Sequence, residues 1–287
     1  MIKVAVIPIY NEAANLERIL TTFGARMDIT IAVNDGSTDA SRSILTRWIA
    51  GQRGSYFIDK PANRGKGSAL KDGFALAALL RESGALANDD LLYTFDADGQ
   101  HTVDSIEKLA ERAVSDKLDM LLTRRDFSRY PRFKRVGNWG LSRFASLLGR
   151  YRYHDVECGL RVIRVGALPD LLAYYIGYKY SCEQELGILA ASLGYRIDNS
   201  YKVEVPYYRA GTKVPDGIIN VSLGLAAWIR LQLGLRSPHS SLTRRLQQRR
   251  ILVGPGAALP PALRSPSKQV GSEAGGAPAP LPLKLDR

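Results

Sequence analysis

The chain has 287 residues, 45% of them hydrophobic, and a formal net charge of +12, enough apolar material for one large domain with a full core, or for such a domain and a tail. Its two cysteines, Cys158 and Cys182, have no paired CxxC spacing, which excludes a disulfide framework or a structural zinc site and makes both small buried residues. No window of 18 apolar residues is free of charge, so no membrane-spanning helix is expected.

The positive charge is uneven. Arg236 to Arg287 holds nine Lys/Arg against two Asp/Glu, a surplus of seven that leaves +5 for the preceding residues. Such a balance suits an anionic partner: a nucleotide, a phospholipid surface or nucleic acid.

The opening stretch, MIKVAVIPIYNE, lacks a basic leader and a small-residue cleavage site and reads as a first strand. Further short apolar runs follow Ile2 to Ile7, at Ile29 to Val33, Tyr56 to Ile58, Leu91 to Phe95 and Met120 to Leu122. Helical spacings lie between them: Leu16, Ile19 and Leu20; Ile44, Leu45 and Trp48; Leu70, Phe74, Ala77 and Ala78; Ile106, Leu109 and Ala113. This alternation predicts an α/β fold with a mostly parallel sheet flanked by helices. After residue 125 it weakens. RRDFSRYPRFKR (124–135) reads as a basic loop, Trp139 to Leu148 as a helix, and Gly159 to Val165 and Tyr201 to Val205 as strands. An apolar helix is predicted from Ile218 to Leu235. Pro, Ser, Gly, Arg and Ala dominate from Ser237, so residues 1–235 are expected to form the domain and 236–287 a basic tail, disordered beyond about residue 250.

Ligands of such sheets sit beyond the carboxyl ends of the strands, and there the polar clusters fall: Tyr10-Asn11-Glu12, Asn34-Asp35-Gly36-Ser37 and Asp96-Ala97-Asp98. Asp96 and Asp98 would share one face of an extended backbone and repel each other, so a cation is expected with them. Their hard oxygens suit Mg²⁺ or Mn²⁺, although Asp-Ala-Asp-Gly also fits an ordinary turn. Asp35 reads either as a turn residue or as an acceptor for a base or ribose. Asn11 and Glu12 read as helix caps or ligand contacts. NRGKGSALKDG (63–73) is either a phosphate-binding loop around Lys66 or a Gly-rich turn before an amphipathic helix; it lacks P-loop spacing. Glu183 and Glu185 stand where first-turn acids support a helix dipole. His101 and His154 have no partner at metal-ligand spacing and read as structural. The charge permits a basic nucleic-acid-binding protein, but aromatic residues are not interleaved with the basic run as a stacking platform would need, so no nucleic-acid partner is expected.

In this order, PIYNE (8–12), VNDGSTD (33–39), NRGKGSALKDG (63–73), DADGQH (96–101), DVECGLRVIR (155–164), GYKYSCEQELGILAASLGY (177–195) and VEVPYYRAGTK (203–213) resemble the family 2 glycosyltransferases, within them the polyprenyl- or dolichyl-phosphate sugar (mannose) synthases. The family's second motif often reads DDGS where this chain has Asn34-Asp35. The resemblance implies the GT-A fold, a Rossmann-like nucleotide-sugar-binding domain, and inverting transfer of a hexose from a GDP- or UDP-sugar with Mg²⁺ or Mn²⁺. Pro8, Tyr10, Glu12, Val33 and Asp35 would bind the nucleotide. Asp96, Asp98 and Gln100 would hold the metal, with Ala97 in the same pocket and Asp98 catalytic. Lys66, Arg124, Arg135, Arg209 and Lys213 would contact phosphates, Arg124 also in a catalytic role.

A lipid monophosphate is largely ionised near pH 7 and needs positioning and charge neutralisation, whereas an alcohol needs a general base. The arginines after residue 123 favour the first. A saccharide or other hydroxyl acceptor, as in cell-envelope polysaccharide synthesis, would give the base role to Glu183. The basic, apolar C-terminal region is expected to work as a peripheral foot at the cytoplasmic membrane face.

Overall fold

The computed structural model describes residues 1–22, 24–96, 105–203 and 214–264. The predicted alternation is present: β1 (Lys3–Ile9) leads to α1 (Ala13–Thr22), β2 (Ile29–Asn34) to α2 (Ser41–Gly51), β3 (Tyr56–Asp59) to α3 (Lys66–Glu82) and β4 (Leu91–Thr94) to α4 (Ser105–Ser115). These strands run parallel in the order β3-β2-β1-β4. Period-two alternation divides the core. Val4, Val6, Ile31, Val33, Ile58 and Leu92 enter one apolar cluster, and Ala5, Ile7, Ile9, Ala32, Phe57 and Tyr93 the other. Leu16, Ile19 and Leu20 of α1 and Ile106, Leu109 and Ala113 of α4 cover the second face, as their spacing predicts.

β5 (Met120–Leu122) is followed by β6 (Arg124–Arg125), α5 (Arg132–Gly149), β7 (Arg161–Arg164), α6 (Leu168–Tyr174), α7 (Cys182–Ser192), β8 (Ile197–Asp198), β9 (Lys202–Val203) and α8 (Val214–Gln232). β7 lies antiparallel between β4 and β5, and β8 extends β5 in parallel. Of the expected strand at Tyr201 to Val205, Lys202 and Val203 form β9, which pairs with β6 in a separate two-stranded sheet, and residues 204 and 205 lie outside the described residues. The basic run 124–135 is not wholly a loop. Its first two residues are β6 and its last four open α5 after Pro131, whose fixed φ of −57° ends the preceding turn.

The expected tail is folded as far as Arg264. α9 (Ser240–Gln247) packs on α3, and β10 (Arg250–Val253) adds antiparallel to β3, which completes an eight-stranded sheet among the described residues. The apolar side chains that drive this, Leu242 and Leu246 one helical turn apart and then Ile251 and Leu252, are few enough to vanish in the composition of the tail as a whole. No described helix is long and apolar enough to cross a membrane.

Candidate active site

The carboxyl ends of β1 and β2 are tied together by short polar side chains. Asn11, at φ +54°, accepts through Oδ1 from the Thr38 amide at 2.8 Å and donates its own amide to Ser37 Oγ at 3.0 Å. The Glu12 amide donates to Ser41 Oγ (3.0 Å) and the Ala13 amide to Asp39 Oδ2 (3.0 Å). The polar side chains after β2 therefore cap the start of the preceding helix, α1, while the Tyr10 ring stays exposed on the rim. Pro8 and Val33 stand opposite each other one pair below the strand ends, and Val33 is enclosed in the core.

Asp35 is enclosed too, and holds the Gly-rich loop. Its carboxylate accepts from Lys60 Nζ, from the Arg64 amide (3.1 and 3.2 Å) and from the Gly65 amide at 2.7 Å. Three donors leave about one of four acceptor positions on the carboxylate for a ligand. Gly65, at φ +88°, turns the chain into α3 with its α-carbon packed on the Lys179 backbone, where a Cβ would collide.

Lys66, the first residue of α3, sends its ammonium between two carboxylates, Asp96 after β4 and Glu183 in the first turn of α7. The two carboxylates hold its pKa well above the usual lysine value although burial opposes the charge. Space for this cluster comes from Gly159, where a Cβ would stand 3.0 Å from Lys66 Nζ and 2.9 Å from Asp96 Cγ. The two acids of α7 have separate tasks. Glu185 caps the preceding turn, accepting from the Ile176 amide (2.8 Å), the Gly177 amide (3.2 Å) and Ser181 Oγ, whereas Glu183 accepts from Cys182 Sγ at 2.7 Å and meets Lys66. Cys158 and Cys182 are both free and buried, as expected.

Two residues that the sequence reading did not select complete this wall. Arg125, not Arg124, makes the buried pair, a two-pronged contact with Asp155 at 2.8 and 2.9 Å that also reaches Asn138 of α5 at 3.0 Å. Glu157 accepts from Asn220 of α8 at 3.3 Å through Oε2, while its sealed Oε1 has no partner. Burial first, and then nearby Glu183, push the Glu157 carboxyl up to about 8. Spacing gave no signal for either residue, because both act through partners distant in sequence.

Arg124 donates through Nε to the Ser200 carbonyl at 3.0 Å. Arg135 lines a cleft of about 640 Å³ along α5, together with Arg132, Arg143, Arg152, Trp139 and His154. Asp35, Lys66, Asp96 and Glu183 are not among this cleft's lining residues, but Asn138 is, and it links the groove to the Arg125–Asp155 pair of the wall. Aromatic rings do stand within the basic run, contrary to the ground given above against nucleic acid. Phe127 and Tyr130, however, pack on each other at 4.9 Å and Arg125 covers Phe127 at 5.0 Å, which engages two of the three rings internally. Ala97, Asp98, Gln100, His101, Arg209 and Lys213 lie outside the described residues.

The sequence profile of glycosyl transferase family 2 matches residues 4–171. The chain belongs to glycosyltransferase family 2. It is 30% identical over 203 residues to a UDP-N-acetylglucosamine–dolichyl-phosphate N-acetylglucosaminyltransferase of Methanococcus voltae, covering 64% of this chain and 78% of that one. It is also 30% identical over 179 residues to an undecaprenyl-phosphate 4-deoxy-4-formamido-L-arabinose transferase of Pseudomonas aeruginosa, covering 58% and 48%. Among solved structures it superposes on glucosyl-3-phosphoglycerate synthase of Mycobacterium tuberculosis in complex with Mn²⁺, UDP and glucosyl-3-phosphoglycerate, with a TM-score of 0.54 and 18% identity over 81% of this chain and 80% of that one. The sheet and its flanking helices are thus the GT-A fold, and the protein is a glycosyltransferase.

Asp96 supplies the hard oxygens that Mg²⁺ and Mn²⁺ favour and already attracts a cation, so its chemistry fits a divalent ion. Among the described residues no group of three or more His, Cys, Asp or Glu side chains is placed to hold a metal.

Proposed function

We propose that this glycosyltransferase moves a hexosyl group, with inversion, from a UDP-sugar to a polyprenyl phosphate at a membrane surface, with Mg²⁺ or Mn²⁺ as cofactor. The observation that carries the reading is the state of Glu183: its carboxylate is engaged by Lys66 and Cys182. A hydroxyl acceptor would require that carboxylate to release an ammonium before taking a proton, whereas an ionised phosphate acceptor requires no base. UDP as the nucleotide and a lipid phosphate as acceptor are supported by what the Methanococcus voltae relative's name says of that protein.

In this reading the loop anchored by Asp35 holds the nucleotide, and Asp96 with Asp98 and Gln100 would hold the metal. The ion would supply Lewis-acid stabilisation of the departing diphosphate. Lys66 adds a second positive charge beside Asp96 for the same phosphates. Arg132, Arg135 and Arg143 in the α5 cleft neutralise and orient the acceptor phosphate. The lipid tail is reached by exposed apolar stripes, Phe133, Val136 and Trp139 on α5 and Ile218, Leu225 and Ile229 on α8.

The test is incubation of the purified protein with labelled nucleotide sugars, Mn²⁺ and either a short-chain polyprenyl phosphate or the corresponding polyprenol. Organic-extractable label should appear with the phosphate alone and vanish in EDTA. Equal transfer to the polyprenol would overturn the acceptor reading, and full transfer in EDTA the metal reading.

A further inference from the structure

Asp72 of α3 is completely enclosed, and the groups that neutralise it come from beyond the expected end of the domain. Arg245 of α9 donates to one carboxylate oxygen and Arg249 to the other at 3.0 Å. Arg245 is also a bridge. Its terminal nitrogen donates to Ser68 Oγ at 2.8 Å and to the Ser68 carbonyl at 3.0 Å. Ser68 Oγ accepts in addition from Lys60 Nζ at 3.0 Å, and Lys60 donates to Asp35, which receives the Arg64 and Gly65 amides. A continuous row of polar contacts thus runs from Asp72 through Arg245, Ser68, Lys60 and Asp35 to the loop in front of Lys66.

Ser68, Lys60, Asp35 and Asp72 are each 5% exposed or less, so bulk water is not at hand to replace a lost partner. Both lone pairs of the Ser68 hydroxyl are filled by donors, which fixes its rotor and with it one side of Lys60. Burial holds the Lys60 ammonium below the usual lysine value; Asp35 and then Asp72 offset part of that, and Arg245 adds a smaller push in the direction of burial. The planar guanidinium is what lets one side chain reach Asp72 and Ser68 together; an ammonium is a point charge and lacks that fork.

We propose that Arg245 is a positioning residue for the donor site: it sets Ser68 and Lys60, and through them the Asp35 carboxylate that holds the 64–65 loop. The proposal rests on the reading above that this loop receives the nucleotide. It makes the C-terminal segment a working part of the transferase and not an appendage.

The test compares full-length wild type with Arg245→Lys and Arg245→Ala. Arg245→Lys keeps a cation for Asp72 and is expected to fold with a melting temperature close to wild type. Its Kd for UDP in Mn²⁺, by calorimetry, should nonetheless rise about tenfold, a typical loss for one charge-assisted contact. Donor KM should rise in parallel with kcat little changed. Independently of any ligand, amide exchange at Arg64 and Gly65 should accelerate in Arg245→Lys, and further in Arg245→Ala if that variant folds. Wild-type exchange at these two amides in a folded Arg245→Lys would overturn the coupling. Faster exchange together with an unchanged UDP Kd would overturn the donor-site role. Failure of the wild type itself to bind UDP would instead overturn the nucleotide reading, with the exchange data still deciding the coupling.

Discussion

Asp96 carries a carboxylate that sequence alone marks as needing a cation, and the structure gives it one in Lys66. The carboxylate was legible because strand-end placement and alternation are local properties. Its partner was not, since the ammonium arrives from 30 residues away across the sheet, and no spacing rule pairs a helix's first residue with a neighbouring strand's end. The same limit hid Glu157, whose carboxyl is raised to about 8 by burial and by Glu183. A carboxyl whose folded pKa lies above its usual 4.5 binds its proton more tightly in the fold, so its contribution to stability is complete below pH 4.5 and is lost as pH rises through about 8. Glu185, raised to about 7 chiefly by burial, acts with the same sign. Wild-type stability should therefore fall from pH 5 to pH 8. Glu157→Gln, which keeps a neutral side chain, should flatten that fall by up to about 1.4 kcal/mol per pH unit. Denaturant melts at several pH values measure it, and parallel curves for the two proteins would show that Glu157 stays ionised in the fold.

At the scale of elements, the parallel strands and helices α1 to α4 were readable because each repeats its period within ten or so residues. The sequence predicts α5 from Trp139, whereas the helix begins at Arg132, because its first turn carries three charges and so looks like loop. That misreading concealed a face. At 3.6 residues per turn, Arg132, Phe133, Val136, Trp139, Arg143 and Leu147 fall on one half of α5, opposite buried Asn138, Ser142 and Ala145. Trp139 is 64% exposed, as are Phe133 and Leu147 to a similar or greater degree. An aromatic, an aliphatic and an arginine side by side on a helix are the composition of an interfacial surface. Of the tail cations expected to meet lipid, Arg245 and Arg249 are committed to Asp72 while Arg244 and Arg250 stay exposed, so α5 is proposed to join the tail as a lipid-facing surface. The protein should sediment with anionic vesicles at low salt and be released at high salt. Trp139→Ala should weaken sedimentation several-fold with no loss of fold, because the ring is mostly in water to begin with. Unchanged sedimentation of that variant would remove α5 from the membrane contact.

For the whole molecule, the structure differs from the expected tail over residues 240–253 for a physical reason: composition averaged over a long window reports the majority, while folding needs only a few well-placed apolar contacts and one ion-pair site. Residues 240–253 supply these. Leu242 and Leu246 enter the main core, Ile251 and Leu252 pack on its two faces, and β10 covers an edge of β3 that would otherwise expose unpaired backbone groups. Tyr56 Oη donates to the Ala258 carbonyl at 3.0 Å, so the contact continues past the strand. The consequence is a definite outcome for truncation. Ending the chain after Ser237 would remove both guanidinium groups from a fully enclosed Asp72, and stripping a buried carboxylate of its partners costs about 3–5 kcal/mol. That is a large part of the stability of an ordinary domain. The chain ending at Ser237 should therefore melt far below the full-length protein or fail to accumulate in soluble form, whereas one ending at Arg264, which retains α9, β10 and both arginines, should melt with the full-length chain. Asp72→Asn separates the two contributions: in the shorter chain it removes the stranded charge and should recover part of the lost stability, leaving the deficit that belongs to β10 and the leucines. Thermal melts of the three truncation products decide this, and a chain ending at Ser237 with the melting temperature of the full-length protein would show that the C-terminal segment merely rests on the sheet.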